Sequence, residues 1–319
     1  MSSTTPSPTP APSSDRTATG APRAGGPGRL GDRTVSRVGY GAMQLARLDG
    51  DRAAAVRLVR RVVELGVDHF DTAAFYGDGF VNGVLREALR PEDGAVVATK
   101  VGAEPNPGGA VHLRLAQRPE QLRASVEVNL RELGLDRLPL VNLRRADTGP
   151  GLRAEGDQVV GLDDQLAVLT ALRDEGKIDA VGLGSVSLDV LRRAAPAGIA
   201  CVQNEYSLLS RADEETLRFC AAGGIAWVPF FPLGSAFPGF PKVTDEPAVR
   251  AAAESLGATP AQVGLAWLLH HSPNVLLIPG TADPDHLESN AAAGALALDP
   301  ATLATLDAVR SRPGEFELG

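Results

Sequence analysis

From Thr34 onward the chain alternates between two hydrophobic rhythms. Short runs rich in Val, Ile and Leu give way to longer stretches in which apolar positions recur three and four apart. The first rhythm belongs to strands buried on both faces, the second to amphipathic helices. The runs fall at residues 38–40, 67–70, 95–99, 138–143, 178–183, 200–203, 225–228 and 275–278. Helices are predicted between most of them, at 52–65, 119–133, 163–175, 188–194, 213–222, 259–270 and 284–293. In the first helix Val56, Val59 and Val63 share a face, and Gly66 supplies the stop. Thr259-Pro260 reads as an N-cap followed by proline at the first helical position. Strict alternation of strand and helix implies a parallel sheet with right-handed crossovers. Eight repeats point to an α/β fold closed as a (β/α)8 TIM barrel, with its site at the C-terminal strand ends. A short N-terminal β-hairpin and a disordered leader are expected ahead of it. A doubly wound sheet would advertise G-x-G-x-x-G after its first strand. Here that place reads Gly39-Tyr40-Gly41-Ala42-Met43-Gln44, without the third glycine.

Composition bounds the picture further. The 319 residues, 44% of them apolar, suffice for one large core, and a single barrel needs roughly 250. A net charge of −8 and a pI near 5.2 argue against nucleic acid and anionic membranes as partners. No apolar run approaches the ~18 residues that span a bilayer. Two cysteines, Cys201 and Cys220, leave the fold independent of disulfides, which suits a reducing cytoplasm. Residues 1–31 form a Ser/Thr/Pro/Gly/Ala tract without a secretory apolar core, and its prolines forbid an amphipathic transit helix. It holds too little apolar surface to offset its ordering entropy, so disorder is predicted there and the barrel is placed at 32–319. No two histidines have metal-ligand spacing with a carboxylate, so no metal is expected.

The stretch Phe70-Asp71-Thr72-Ala73-Ala74-Phe75-Tyr76-Gly77 carries the candidate chemistry. A buried run ends in a carboxylate, and a phenol follows five residues later in a loop. The neighbouring run ends in Lys100, again charged where the apolar pattern stops. An acid, a phenol and an amine at the mouths of neighbouring strands can make an acid–base site, or a surface ion pair beside a core tyrosine.

Further motifs stand beside that stretch: Gly39-Tyr40-Gly41-Ala42-Met43-Gln44, Thr99-Lys100, Val202-Gln203-Asn204-Glu205-Tyr206 and Ile278-Pro279-Gly280-Thr281. In order and spacing the set resembles an aldo-keto reductase from about residue 34 to 306. Val141-Asn142-Leu143-Arg144, Val228-Pro229-Phe230-Phe231-Pro232-Leu233-Gly234 and Leu265-Ala266-Trp267-Leu268-Leu269 look like that family's bacterial pyridoxal reductase branch. The resemblance implies a barrel that binds NADPH without a Rossmann domain and reduces aldehydes or ketones. Of the family's Asp, Tyr, Lys and His tetrad, the first three carry over onto Asp71, Tyr76 and Lys100. Arg144 stands in the histidine's place. A guanidinium offers a fork of donors that can orient a carbonyl or clamp an anion, and it cannot shuttle protons. Arg144 is equally readable as a structural residue paired with Asp71 or Asp147.

The same carry-over implies the cofactor contacts. Phe230 falls where the family stacks an aromatic ring on the nicotinamide, and Gln203 where it holds the carboxamide. Gly184-Ser185 replaces the usual Ser-Asn pair. Leu233, Gly234 and Ser235 fall at the pyrophosphate. Gly280, Thr281, His286 and Asn290 fall around the adenosine 2′-phosphate and adenine, and Ala42, Met43 and Ile278 complete the set. Many NADP-specific relatives carry a Lys or Arg where this chain has Gly280 and His286. NADPH is therefore expected, with NADH second. The remaining histidines read as a helix end (His270, His271), a strand interior (His69) and a loop (His112).

The leading reading is a reductase of a small carbonyl compound such as pyridoxal. A tailoring reductase acting on a larger ketone or imine is the second, its substrate set by the loops at 147–157 and 237–247. A nicotinamide-sensing subunit without catalysis is the third, and retention of Asp71, Tyr76 and Lys100 argues against it. Oligomeric state is open at this level.

Overall fold

The structure, a computed structural model, describes residues 14–109, 112–148, 152–235 and 240–312. An antiparallel hairpin comes first, β1 (Pro27–Leu30) and β2 (Arg33–Ser36), in register Leu30 opposite Arg33. The main sheet then begins with β3 (Tyr40–Gly41), β4 (His69–Asp71) and β5 (Val96–Val101). A second hairpin, β6 (Ala103–Pro105) with β7 (Leu113–Leu115), projects from the end of β5. The main sheet resumes with β8 (Leu138–Arg144), β9 (Ile178–Gly184), β10 (Ile199–Gln203) and β11 (Ala226–Trp227). All seven main strands are parallel, in the order β3-β4-β5-β8-β9-β10-β11.

The eighth apolar run closes the circle. Trp227 bridges to Val275 and Val38 to Leu277, both parallel. The N–H of Leu276 bonds the carbonyl of Trp227 at 2.8 Å, and that of Gly39 bonds Leu277 at 2.7 Å. The barrel thus closes at 275–278 as predicted, through single bridges and not a full ladder. Pro273 and Pro279 bracket the run and have no N–H to extend it.

Helices cover the outside: α1 (Arg52–Glu64), α2 (Phe80–Ala88), α3 (Pro119–Leu133), α4 (Leu162–Asp174), α5 (Leu188–Ala194), α6 (Glu214–Ala222), α7 (Pro247–Leu256), α8 (Pro260–His271), α9 (Pro284–Ala292) and α10 (Pro300–Asp307). Thr259 caps α8 as its sequence predicts, accepting from the N–H of Gln262, whose side chain bonds back. Helices α2, α7 and α10 escape the sequence reading. In α2, Gly83 interrupts a nine-residue pattern; α7 and α10 have no strand immediately before them, so the alternation gives no cue. No described helix is long and apolar enough to cross a membrane.

Two apolar cores result. The outer one lies between sheet and helices, with Leu58, Val59, Leu122, Val126, Val141 and Val181 among its members. The inner one fills the barrel with Val96, Ala98, Leu140, Ala226, Val228 and Leu276, and the hairpin adds Leu30 and Val35 to it. The β1–β2 hairpin therefore plugs the N-terminal end.

The expected leader boundary moves. Residues 14–31 are folded: the Arg23 guanidinium pairs with buried Asp68, Ala24 is buried, and the N–H groups of Ala24 and Val38 bond Gly66 and Ala24 at 3.0 Å. Composition averages over the tract and misses the buried carboxylate that gives Arg23 a partner. The rest of the predicted disorder, residues 1–13, lies outside the described residues.

Candidate active site

Strands β4 and β5 lie side by side with Asp71 opposite Ala98. Alternation then turns His69, Asp71, Ala98 and Lys100 inward, and Phe70 and Thr99 toward the helices. The Lys100 ammonium is hydrogen-bonded to Asp71 Oδ1 and, at 3.0 Å, to the carbonyl of Thr72. Gln203 Nε2 donates to Asp71 Oδ2 at 2.6 Å, so both carboxylate oxygens are engaged. The ammonium sits 5.0 Å from the centre of the Tyr76 ring and in hydrogen-bonding reach of its phenol. Burial pulls the Lys100 amine toward neutrality, but the charge of Asp71 and the Tyr76 oxygen outweigh it and hold the amine above its ordinary range.

The loop that carries Tyr76 is tied at both ends. The N–H of Thr72 bonds Ala98 at 2.8 Å and that of Tyr76 bonds Ala73 at 3.0 Å. Gly77, Asp78 and Gly79 then turn through three consecutive left-handed conformations, with φ of 59°, 48° and 86°, into α2. Phe75 meets the Tyr76 ring edge-on at 5.1 Å. Behind the sheet, the Thr72 hydroxyl donates to Asn82 of α2 at 2.7 Å and the Thr99 hydroxyl to Asn129 of α3 at 2.5 Å. Asn82 and Asn129 bond each other at 3.3 Å. Sequence reasoning missed this support, although a buried asparagine on the apolar face of each helix was the signal available.

Arg144 ends β8. Its carbonyl accepts from Gln117 Nε2 at 2.7 Å, and Gln117 is held in turn by Gln165 at 2.8 Å. The structural pairing considered from sequence does not form. Asp71 is taken by Lys100 and Gln203, and Asp147 is taken by Arg145 at 2.8 Å. Among the described residues no carboxylate pairs with Arg144. Desolvation pulls its guanidinium below the usual arginine range, against an attraction to the Tyr76 oxygen.

The residues expected to contact a cofactor sit at or after the ends of β3, β9, β10, β11 and the closing run at 275–278. Gly184 ends β9, and buried Ser185 follows in a left-handed conformation (φ 54°), its N–H bonded to Gln203 at 2.9 Å. The Gln203 side-chain amide is bonded to Asp71. Phe230 is half-buried and meets Phe231 edge-on at 5.1 Å. Leu233 packs on the outer core, and Ser235 is buried. The Gly234 N–H donates to the Phe231 carbonyl at 2.9 Å in a tight turn, with φ of 87°. Only glycine fits there, since a Cβ would fall 2.3 Å from the carbonyl of Pro241.

On the other side Ala42 is buried, Met43 is exposed, and Ile278 borders the inner core. Gly41 and Gly280 approach so closely that a Cβ on Gly280 would lie 2.5 Å from the Gly41 carbonyl. The Thr281 hydroxyl accepts from the N–H of Asp283 at 3.0 Å. His286 is exposed and Asn290 half-buried on α9. The N–H groups of Asp285 and His286, candidate donors to a phosphate, bond the Asp283 carboxylate at 2.9 and 3.0 Å. Those bonds hold that carboxyl below its usual range.

A cavity of about 600 Å³ opens beside the mouth between the β6–β7 hairpin and the loop after β8, bordered by Leu113, Leu115, Arg118, Leu152 and Arg153. None of Asp71, Tyr76, Lys100 and Arg144 lines it. Of the loops expected to select substrate, residues 149–151 and 236–239 lie outside the described residues.

Comparison with known proteins agrees with this geometry. Residues 37–311 match the aldo/keto reductase family. The chain is 43% identical over 288 residues to pyridoxine 4-dehydrogenase of Escherichia coli (strain K12), across 88% of this chain and 96% of that protein. An aldo/keto reductase from Klebsiella pneumoniae solved with NADP and acetate superposes with a TM-score of 0.73 at 26% identity, over 91% of this chain and 99% of that one. An aldo-keto reductase from the same organism solved with NADPH gives 0.74 at 26%, with the same coverage. The chain therefore belongs to the aldo/keto reductase family and is an oxidoreductase.

Proposed function

We propose that the chain reduces an aldehyde or ketone to the alcohol with NADPH, and that Tyr76 is the general acid. The observation that carries this reading is the Lys100 ammonium, held by Asp71 and the Thr72 carbonyl beside the Tyr76 phenol. A free tyrosine, with a pKa of ~10, gives up its proton reluctantly at neutral pH. A fixed cation beside the oxygen stabilises the phenolate left behind, so the proton passes more readily to the carbonyl oxygen as negative charge develops there. Asp71 keeps that cation in place, and Gln203 keeps Asp71 in place. In the reverse direction the same tyrosine takes the proton from the alcohol.

Ser185, Gln203 and Phe230 line the mouth with a buried polar pair and an aromatic face, a set that fits a nicotinamide and its carboxamide. Ala42, Met43, Gly184 and Ile278 border it. Leu233, Gly234 and Ser235 are the pyrophosphate candidates, and Gly280, Thr281, His286 and Asn290 those for the adenosine end. When bound, the nicotinamide supplies the hydride. The NADP and NADPH complexes of the Klebsiella pneumoniae proteins favour NADPH over NADH, although Asp283 places a carboxylate at the start of α9. Pyridoxal is the favoured substrate because the 43% identical Escherichia coli protein is a pyridoxine 4-dehydrogenase.

The test is Tyr76→Phe. The variant should bind NADPH like the parent, read by quenching of intrinsic fluorescence, and lose at least the ~10²-fold typical of general acid catalysis in pyridoxal reduction. Equal turnover would remove Tyr76 from the mechanism.

A further inference from the structure

The loop that carries the phenol is closed from behind the sheet. Thr72 follows Asp71; its carbonyl accepts from the Lys100 ammonium at 3.0 Å, and its hydroxyl donates to Asn82 Oδ1 at 2.7 Å. Tyr76 lies between Thr72 and Asn82 in the chain, so the second bond shuts this segment into a ring with the phenol on it. Strand β5 is held in a similar way. Thr99 precedes Lys100, and its hydroxyl donates to Asn129 Oδ1 at 2.5 Å. One side chain joins the two arrangements: Asn82 Nδ2 donates to Asn129 Oδ1 at 3.3 Å and to Glu132 Oε2 at 2.9 Å. Asn129 Nδ2 is used as well, by the Ser125 carbonyl at 2.9 Å. Thr72, Asn82, Thr99 and Asn129 are all buried. A buried network in which every donor and acceptor has its partner is stiff and allows one arrangement. The β4–β5 ladder cannot do the same work, because it stops at Asp71, well before Tyr76.

Resting on the reductase reading above, we infer that Asn82 is a positioning residue for the reaction: through Thr72 on one side and Asn129 on the other, it fixes how far the Tyr76 phenol stands from the Lys100 ammonium. It acts from the helix side of the sheet, on α2, and not from the mouth. The attraction that eases the proton off the phenol falls with distance from the ammonium. Loosening the network therefore weakens the acid and leaves the cofactor residues on β9, β10 and β11 in place.

The experiment compares Asn82→Ala with Thr72→Val, which keeps the carbonyl bonded to Lys100, and Thr72→Ser, which keeps the hydroxyl. Leu169→Ala, a truncation of the outer core on α4, controls for lost stability. Tyr76 is followed as the ultraviolet tyrosinate absorbance that Tyr76→Phe removes. The two other tyrosines, Tyr40 and Tyr206, are buried, which pushes their phenols up. In Asn82→Ala and Thr72→Val that absorbance should appear roughly one pH unit higher than in wild type, because an ammonium no longer held in place favours the phenolate less. The kcat for NADPH-linked reduction of 4-nitrobenzaldehyde should fall roughly 10- to 10²-fold. Affinity for NADPH, read by fluorescence quenching, should not change. Thr72→Ser should restore both the titration and the turnover. Leu169→Ala should melt at a lower temperature and leave both at their wild-type values. If Asn82→Ala does not fold, Thr72→Val carries the test. Should Thr72→Val melt lower yet titrate and turn over like wild type, the network is scaffold only and the inference falls, with the reductase reading intact. A wild type that reduces neither 4-nitrobenzaldehyde nor pyridoxal with NADPH would remove both.

Discussion

On the wall formed by β4, β5 and β8, side chains hold one another. Lys100 grips Asp71, and Thr72 and Thr99 are tied through Asn82 and Asn129 to the helices behind. Gln117 pins the end of β8. On the wall formed by β9, β10 and β11, the shape comes from the backbone. Register shifts between Ile199 and Val202, β11 is two residues long, and Ser185 and Phe231 take left-handed conformations. Gln203 joins the two walls through its bond to Asp71. The first construction suits a site where a proton must move between groups at fixed separation. The second suits binding of an extended ligand through main-chain groups, where precision resides in turns.

If the first wall depends on mutual charge, removing one member should cost more than any change on the second. Asp71→Ala leaves the Lys100 ammonium buried without its counter-ion, a loss of about 3–5 kcal/mol of stability for a broken buried pair. Urea unfolding at pH 7 measures it. The sign with pH follows from Lys100, whose folded pKa lies above its ordinary value of 10.5. Its stabilisation is complete below that value and lost as pH rises through the folded pKa, so wild type and variant should converge only in strong alkali. A variant within 1 kcal/mol of the wild type would show that the pair is not the keystone of this wall.

Next in size is His69, two residues before Asp71 on the same inward face. Burial pushes its imidazole down to about 4 from 6.5, with Asp71 opposing. The unfolded chain takes up this proton at higher pH than the folded one, so stability is full above 6.5 and declines as pH falls toward 4. The drop from 6.5 to about 4 corresponds to about 3 kcal/mol. His69→Phe should flatten this part of the stability curve. An unchanged acid limb would place the loss on other groups.

How much of each wall could be read beforehand follows from the same difference. Asp71, Lys100 and Arg144 were visible because a charged residue at the end of an apolar run is conspicuous, and strand alternation sends it to the mouth. All eight barrel runs, seven as strands and the last as bridges at 275–278, and the capped start of α8 followed from periodicity and turn residues. Asn82 and Asn129 looked like ordinary helix positions, because their meaning lies in contact across residues 47 apart. On the second wall, nothing in the letters Gly184-Ser185 announces a left-handed serine, and nothing in Leu233-Gly234-Ser235 shows that the Gly234 N–H is already used. Those facts belong to backbone dihedral angles, which residue identity constrains weakly outside glycine and proline.

The smallest expected effect probes that second wall directly. Ser185 holds a φ of 54°, a conformation that charges a residue with a Cβ about 1 kcal/mol relative to glycine. Ser185→Ala keeps the strain and loses the hydroxyl, whereas Ser185→Gly loses both. The glycine variant should therefore be more stable than the alanine variant by about 1 kcal/mol in thermal unfolding, partly offset by its freer unfolded chain. Nicotinamide binding separates two roles for the position. If the hydroxyl is a contact, both variants should bind NADPH roughly 3- to 10-fold more weakly, the loss expected for one neutral hydrogen bond. If both bind as tightly as wild type, what position 185 supplies is the turn itself, and the wall works through its backbone.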